Sequence, residues 1–104
     1  MASIRWTLGA KQDLQAIIEY IGRHSPTYAA LTAERIVAAV ERLRRQPRLG
    51  RMVPEFEELF IRELIVGNYR IVYRLKRKQI GIVAVVHGSR SLLKRFASAE
   101  WVLE

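Results

Sequence analysis

The stretch from Arg62 to Arg90 constrains the fold more than any other part of the chain. It begins with two alternating runs, RELIVGNYRIVYRL, which meet at Gly67-Asn68, a strong signal for a two-residue hairpin turn. After a short basic break comes IGIVAVVHGSR, in which residues 80–86 are apolar on both faces. A strand of that kind needs cover on both sides, so residues 80–86 are predicted to form a central strand.

The hairpin turn also fixes the register of its two strands, residues 60–66 and 69–75. It sets three pairs opposite each other: Val66 and Tyr69, Ile65 and Arg70, Glu63 and Val72. One face is then apolar and is predicted to join the core; it carries Leu64, Val66, Tyr69, Ile71 and Tyr73. The other face is half polar and is the predicted working face; it carries Ile61, Glu63, Ile65, Arg70, Val72 and Arg74.

Two amphipathic helices are predicted ahead of this hairpin. Residues 3–6 can form a short first strand, after which Thr7 is a candidate N-cap for a helix that ends near Arg23. Ser25 can cap a second helix that ends near Arg45, because the proline after it suits a first helical position. Two such helices joined by a tight turn form an antiparallel hairpin whose apolar stripes need a sheet or each other as cover.

The remaining segments complete the predicted fold. Residues 46–58 form a proline- and glycine-containing loop whose charge swings from basic to acidic, and residues 91–99 can form a short C-terminal helix. The chain of 104 residues is predicted to be a single α+β domain. Its elements follow the order β-α-α-β-β-β, with a mostly antiparallel sheet packed by an N-terminal two-helix hairpin.

The charge balance limits the kinds of partner that the chain can have. It contains 18 basic and 10 acidic residues, for a net charge of +8, and 14 of the basic residues are arginine. Arginine favours planar, two-pronged contacts with phosphates or carboxylates. The expected partners are therefore a nucleic acid or an acidic protein segment, and the alternative is a solvated basic surface without a partner.

Composition and motif content exclude several classes of protein. Without cysteine there is no disulfide, thiol catalysis or cysteine-based zinc site, which suits the reducing cytoplasm. The N-terminus lacks the apolar segment of a signal peptide, and no apolar run approaches the roughly 20 residues of a membrane span, so no membrane association is expected. Neither metal-ligand spacing nor a glycine-rich phosphate loop is found, so no metal or cofactor is expected.

A basic constellation near the last two strands is the candidate site. It consists of Arg70, Arg74, His87 and Arg90, followed by Lys94 and Arg95. In the predicted hairpin Glu63 lies diagonally between Arg70 and Arg74. Cross-strand ion pairing therefore explains these arginines at least as well as a catalytic role does. His87 and Arg90 form either a pair that transfers protons or contacts phosphate, or a turn that satisfies the end of the strand.

A second basic cluster lies at the end of the second helix and in the loop. Its members are Arg42, Arg44, Arg45, Arg48 and Arg51. Cations near a helix C-terminus offset the helix dipole, which explains some of them. Docking of a partner is the second interpretation.

The order of these segments resembles the RelE/ParE superfamily of bacterial toxins. Four features carry the resemblance: the opening WT-x₃-K-x-DL-x₂-I-x₂-YI, the loop GRMVPEF, the hairpin REL-x₃-NYRIVYR, and the apolar strand that leads into HGSR. The resemblance covers nearly the whole chain and rests on the order of the motifs rather than on any single one.

The resemblance implies the toxin of a type II toxin–antitoxin system. Such a toxin arrests growth, contributes to plasmid stabilisation and is held inactive in the cytoplasm by a cognate antitoxin. An acidic antitoxin would wrap the half-open sheet and the helices, by adding a strand or laying a helix in a groove, and so form a toxin–antitoxin hetero-oligomer. The residues expected to contact the antitoxin or the target are Arg62, Arg74, Lys94 and Arg95.

The superfamily divides by target, and one branch has an enzymatic activity. RelE-like members resemble ribonucleases that cut mRNA in the ribosome, where basic residues stabilise charge at the scissile phosphate. Arg70 and Arg90 match two such arginines in position, and His87 could act as the acid or base. The resemblance therefore implies these three residues as the catalytic set of a ribonuclease.

The departures from that branch favour the other one. Where RelE-like members carry strand lysines this chain has Ile61 and Glu63, and Phe96 replaces a C-terminal tyrosine and cannot transfer a proton. ParE-like members resemble inhibitors of DNA gyrase and need no ribonuclease site. Inhibition of gyrase is therefore the preferred prediction, ribosome-dependent mRNA cleavage is the alternative, and an inert basic binding module is the third.

Overall fold

A helical hairpin and a five-stranded sheet make up the fold. The computed structural model of the chain describes residues 1–96, apart from the side chains of Lys94 and Arg95. In chain order the elements are β1 (Ser3–Trp6), α1 (Leu8–Gly22), α2 (Pro26–Glu41), a 3₁₀ turn (Arg42–Arg44), β2 (Arg51–Met52), β3 (Ile61–Val66), β4 (Tyr69–Lys76), β5 (Gln79–His87) and α3 (Leu92–Arg95). The predicted α+β class and element order are confirmed. Strand β2, inside the predicted loop, was not anticipated, and residues 97–99 of the predicted C-terminal helix lie outside the described residues.

Both predicted helix caps are present. The Thr7 hydroxyl accepts a hydrogen bond from the backbone N–H of Ala10 at 3.2 Å, and the Ser25 hydroxyl accepts one from that of Tyr28 at 3.1 Å. Each satisfies a backbone donor that the first turn of a helix leaves without a partner. Helix α2 ends at Glu41, earlier than predicted, because the chain tightens there into the 3₁₀ turn.

The sheet has the strand order β1-β5-β4-β3-β2, with β1 parallel to β5 and the other pairs antiparallel. The predicted hairpin register is confirmed at all three pairs: Val66 with Tyr69, Ile65 with Arg70 and Glu63 with Val72. Gly67 in the turn has a φ of +56°, a left-handed conformation that glycine adopts without a steric penalty. Strand β5 is bonded on both sides, as its apolar pattern predicted.

Both faces of the sheet are largely covered, so most of the half-polar face that was predicted to be the working face is buried, although Ile65 on it is 55% exposed. On one face the helices pack over a core that includes Ile36, Val40, Leu43, Leu64, Ile71 and Tyr73. On the other, the loop and α3 cover a second core that includes Val53, Ile61, Val72, Val83, Leu92 and Phe96. Glu63 and Arg70 lie within this second layer and are only 1% and 7% exposed.

A β-bulge in β5 changes which face its last residues occupy. Val72 pairs with Ala84 whereas its neighbour Tyr73 pairs with Ile82, so Val83 is an extra residue on β5. Such an insertion shifts the alternation of side chains by one. Ile82 and Val85 therefore both pack into the core under the helices, and His87 follows with the same parity as Val85.

Candidate functional site

Arg70 is the centre of a buried charge cluster. Its Nε donates to Glu63 Oε1 at 2.6 Å, and its two terminal nitrogens bind the carboxylate of Glu55 at 2.7 and 2.8 Å. One of those nitrogens also reaches the backbone carbonyl of Arg90 at 3.3 Å. The two-pronged contact with Glu55 is the geometry that makes guanidinium–carboxylate pairs strong. These bonds, chiefly the one to Glu55, raise the pKa of Arg70 above its ordinary value.

Glu63 joins the cluster to the surface. Its second oxygen accepts from Arg51 Nε at 2.8 Å, and the Arg51 side chain is 61% exposed whereas that of Glu63 is fully buried. The cross-strand ion pair that the sequence allowed is thus present between Glu63 and Arg70. It is absent at Arg74, whose guanidinium instead lies 5.7 Å from the centre of the Phe60 ring.

Glu55 is the member of the cluster that sequence reasoning missed. One of its oxygens also accepts from the backbone N–H of Leu92 at 3.2 Å, so the carboxylate ties the loop to the first residue of α3 as well as to Arg70. The hydrogen bonds from Arg70, followed by that from Leu92, outweigh burial and hold the pKa of Glu55 at about 2, below its ordinary value of 4.5. The acidic end of the loop was the one feature of the sequence that could have pointed to Glu55.

The lowered pKa predicts an acid-sensitive contribution to stability. Because the Glu55 pKa is depressed in the folded protein, this contribution is complete above about pH 4.5 and is lost as the pH falls toward about 2. Water screens the partly exposed carboxylate, so we expect a loss of about 1–2 kcal/mol rather than the full value of the shift. Urea unfolding between about pH 6 and about pH 2.5 measures it. In Glu55→Gln the free energy of unfolding should fall less as the pH is lowered. Equal pH dependence of the variant and the wild type would contradict a contribution from the Glu55 carboxylate.

His87 and Arg90 line a cleft between α1 and the end of β5. The cleft has a volume of about 470 Å³, and Asp13, Tyr20 and Tyr69 contribute to its walls. The His87 Nδ1 accepts the backbone N–H of Ser89 at 3.2 Å, so a neutral ring carries its proton on Nε2. The structure therefore places the predicted pair at one opening.

Tyr69 adds a group with proton-transfer chemistry to this cleft. Its ring meets that of His87 edge-on, with 5.8 Å between the centres, as expected for cross-strand partners on one face. Burial is the main reason that the pKa of Tyr69 is raised, so its hydroxyl keeps its proton at neutral pH. The strand pattern predicts a core position for Tyr69, and its place in the cleft is a finding of the structure.

The other predicted contact residues have different environments. Arg62 donates to the backbone carbonyls of Gly50 at 2.8 Å and Leu59 at 3.2 Å, so it supports the loop. The backbone of Lys94 and Arg95 belongs to α3, and their side chains lie outside the described part of the chain.

The described residues offer neither a cluster of metal ligands nor a helix suited to a membrane. Within residues 1–96, no three histidine, aspartate or glutamate side chains are grouped so that they could hold a metal ion. None of the helices in that part of the chain is both long and apolar enough to cross a membrane.

Known structures share this fold. A chain from the chromosomal ParDE toxin–antitoxin system of P. aeruginosa superposes with a TM-score of 0.68 at 29% identity, covering 84% of this chain and 96% of that one. A chain of the RelBE2 toxin–antitoxin complex of Mycobacterium tuberculosis gives a TM-score of 0.53 at 26% identity, covering 83% and 96%. The fold is that of RelE/ParE toxins, as the sequence predicted.

Sequence comparisons agree with the structural ones. "Toxin RelE2" of Caulobacter vibrioides is 36% identical over 91 residues, which cover 86% of this chain and 99% of the relative. "Putative toxin Y4kP" of Sinorhizobium fredii is 36% identical over 86 residues, covering 81% and 85%. The family model for the ParE toxin of the type II toxin–antitoxin system parDE matches residues 4–92. The chain therefore belongs to the ParE toxin family, within the RelE/ParE superfamily of type II toxin–antitoxin toxins.

Proposed function

We propose that this toxin arrests growth by inhibiting DNA gyrase and that a cognate antitoxin neutralises it. The observation that carries the choice of target is the state of Arg70. Glu63 and Glu55 together occupy all three nitrogens of its guanidinium. A scissile phosphate would have to displace two carboxylates to reach this group, and breaking a buried pair costs several kcal/mol. Arg70 is therefore poorly suited to stabilise charge on RNA.

Two further residues support the same choice. Glu63, where RelE-like members carry a lysine, is a buried anion whose charge is already shared between two arginines. Phe96, in place of a C-terminal tyrosine, is 7% exposed and meets Phe56 edge-on in the second core, with 6.2 Å between the ring centres. Both residues serve the packing of the second face.

The antitoxin and the compartment belong to the same proposal. The related structures come from ParDE and RelBE2 toxin–antitoxin systems. With its net charge of +8 this chain suits an acidic antitoxin, and opposite charges would speed formation of the hetero-oligomer. Gyrase and the ribosome are both cytoplasmic in bacteria, so the toxin is proposed to act in the cytoplasm.

The proposal is tested by adding the purified protein to DNA gyrase, ATP and relaxed plasmid. We expect supercoiling to fall as the toxin concentration rises, and to be preserved when the toxin is first mixed with its cognate antitoxin. Undiminished supercoiling together with mRNA cut in translating ribosomes would overturn gyrase as the target. Harmless expression without an antitoxin would instead indicate an inert binding module.

Ribosome-dependent mRNA cleavage remains the second candidate because of the cleft at His87. That cleft combines two groups that can transfer a proton, His87 and Tyr69, with the cation of Arg90. If the toxin does cut mRNA, His87→Ala and Arg90→Ala should each abolish cleavage without unfolding the protein, because both residues are exposed. Cleavage retained in both variants would exclude the cleft as the site.

A further inference from the structure

An apolar groove lies at the opposite end of β4 from His87. It has a volume of about 490 Å³, and its apolar lining consists of Pro47, Leu49, Leu59, Phe60 and Leu75. Three of these side chains remain largely uncovered: Leu59 is 72% exposed, Phe60 45% and Leu49 40%. A cluster of bulky apolar side chains left in water is a feature of surfaces that dock a partner.

The walls of the groove are held in place before any partner arrives. The Tyr73 hydroxyl donates to the carbonyl of Pro47 at 2.8 Å and accepts the N–H of Gly50 at 2.9 Å. Arg62 donates to the carbonyl of Leu59 on the opposite wall and to that of Gly50. Because these bonds fix both walls, a ligand does not have to order them, which lowers the entropic cost of binding.

The rim of the groove is cationic. Arg48 and Arg77 line it together with Gln46, and no acidic side chain of the described residues forms a salt bridge with either arginine. Beside it lies the Arg74 guanidinium, whose buried Nε has no hydrogen-bond partner among residues 1–96. Glutamates 57 and 58 precede Leu59 in the chain but do not line the groove. The rim is therefore complementary to carboxylates.

We propose that this groove docks an acidic peptide segment that carries bulky apolar side chains. The apolar side chains of the peptide contact the apolar lining of the groove, and the carboxylates of the peptide pair with Arg48 and Arg77. A nucleic acid fits less well, because single strands bind through aromatic side chains, and Phe60 is the only aromatic residue in the described part of the chain that lines the groove. The inference rests on the proposed function in one respect: the protein that neutralises the toxin would supply the segment.

The test is fluorescence anisotropy with the full chain and a labelled synthetic peptide rich in Glu, with Leu or Phe at every third or fourth position. We expect Leu59→Ser/Phe60→Ser to weaken binding about tenfold or more. The matched control, Leu8→Ser/Val37→Ser, removes two exposed apolar side chains from α1 and α2, 61% and 44% exposed, and should bind as the wild type does. Circular dichroism checks that every variant is folded.

A second pair of variants tests the charge. Arg48→Ser/Arg77→Ser should weaken binding about tenfold, whereas Arg23→Ser/Arg35→Ser, which removes the same charge from exposed positions at the end of α1 and within α2, should change it less than threefold. Equal losses in both pairs would show diffuse attraction and overturn the groove. Preferential binding of an oligothymidylate to the groove would also overturn the proposal.

The outcomes for the groove and for the target can be separated. The anisotropy assay contains no gyrase, so a chain that binds the peptide but leaves supercoiling untouched refutes the target and not the groove. A chain that inhibits gyrase yet fails to bind the peptide, or binds it equally well in both groove variants, refutes the groove alone.

Discussion

Arg70→Ala is expected to lower the free energy of unfolding by about 3–5 kcal/mol, a large share of the roughly 5–15 kcal/mol that stabilises a typical domain. The substitution leaves Glu63, which is fully buried, with the exposed Arg51 as its one remaining ion-pair partner among the described residues. It also removes both hydrogen bonds that Arg70 makes to Glu55. The cost comes from uncompensated buried charge and not from the loss of the ion pairs alone.

Urea unfolding measures the effect, and Arg51→Ala is the matched control. Arg51 binds the same carboxylate at 2.8 Å, but its side chain is 61% exposed, so its loss should cost less than about 1 kcal/mol. Arg70→Met combined with Glu63→Leu should recover most of the stability, because it removes both buried charges and keeps apolar volume. If Arg70→Ala unfolds within about 1 kcal/mol of the wild type, the cluster contributes far less than its geometry indicates.

Loss of activity in an Arg70 variant does not by itself show a catalytic role for Arg70. A variant that loses toxicity because it no longer folds resembles one that has lost a catalytic group. His87 and Arg90 are exposed, so their variants separate chemistry from stability where those of Arg70 do not.

The parts of the fold that the sequence predicted correctly are those determined by neighbouring residues. The hairpin register follows from the two residues of its turn. Each helix cap depends on a hydroxyl side chain, Thr7 or Ser25, that lies three residues before the backbone N–H whose hydrogen bond it accepts. Local geometry of this kind leaves a short-range pattern in the sequence.

The burial of the second face of the sheet was not predicted because the segments that cover it are distant in the sequence. Glu55 is 15 positions from Arg70, and Leu92 is 37 positions from Glu55, yet the three meet in one cluster. A half-polar strand pattern does not distinguish a face that meets water from one whose charges are paired under a loop. The acidic residues in that loop were compatible with both.

The position of His87 was hidden for a different reason. The bulge at Val83 reverses the alternation of β5, but the strand is apolar at every position from Ile80 to Val86. An extra residue in such a run changes nothing in the pattern. Without the bulge His87 would lie on the face away from α1, and the cleft that it shares with Tyr69 would not form.

Gly50→Ala is expected to destabilise the protein by about 2–3 kcal/mol, through a steric clash and not through backbone conformation. A Cβ at this position would lie 2.6 Å from the backbone oxygen of Glu63 and 2.7 Å from both the Cε1 and the hydroxyl oxygen of Tyr73. Neither neighbour can retreat easily, because the first belongs to β3 and the second is fully buried. The loop must then move outward and weaken the hydrogen bonds that Tyr73 makes to Gly50 and Pro47.

Gly22→Ala is the matched control, since among residues 1–96 a Cβ there comes within 4 Å of the Ala29 Cβ alone, at an ordinary 3.8 Å. It should leave stability unchanged or raise it by up to about 1 kcal/mol, because alanine restricts the unfolded chain. Thermal and urea unfolding measure the difference in stability between the two variants. If the loop adapts to the added methyl group, this difference is absent.

Because the same loop forms one wall of the apolar groove, Gly50→Ala should also weaken binding of the acidic peptide, and Gly22→Ala should not. A Gly50→Ala protein that is destabilised but binds the peptide normally would mean that Leu59 and Phe60 on the opposite wall are sufficient for docking.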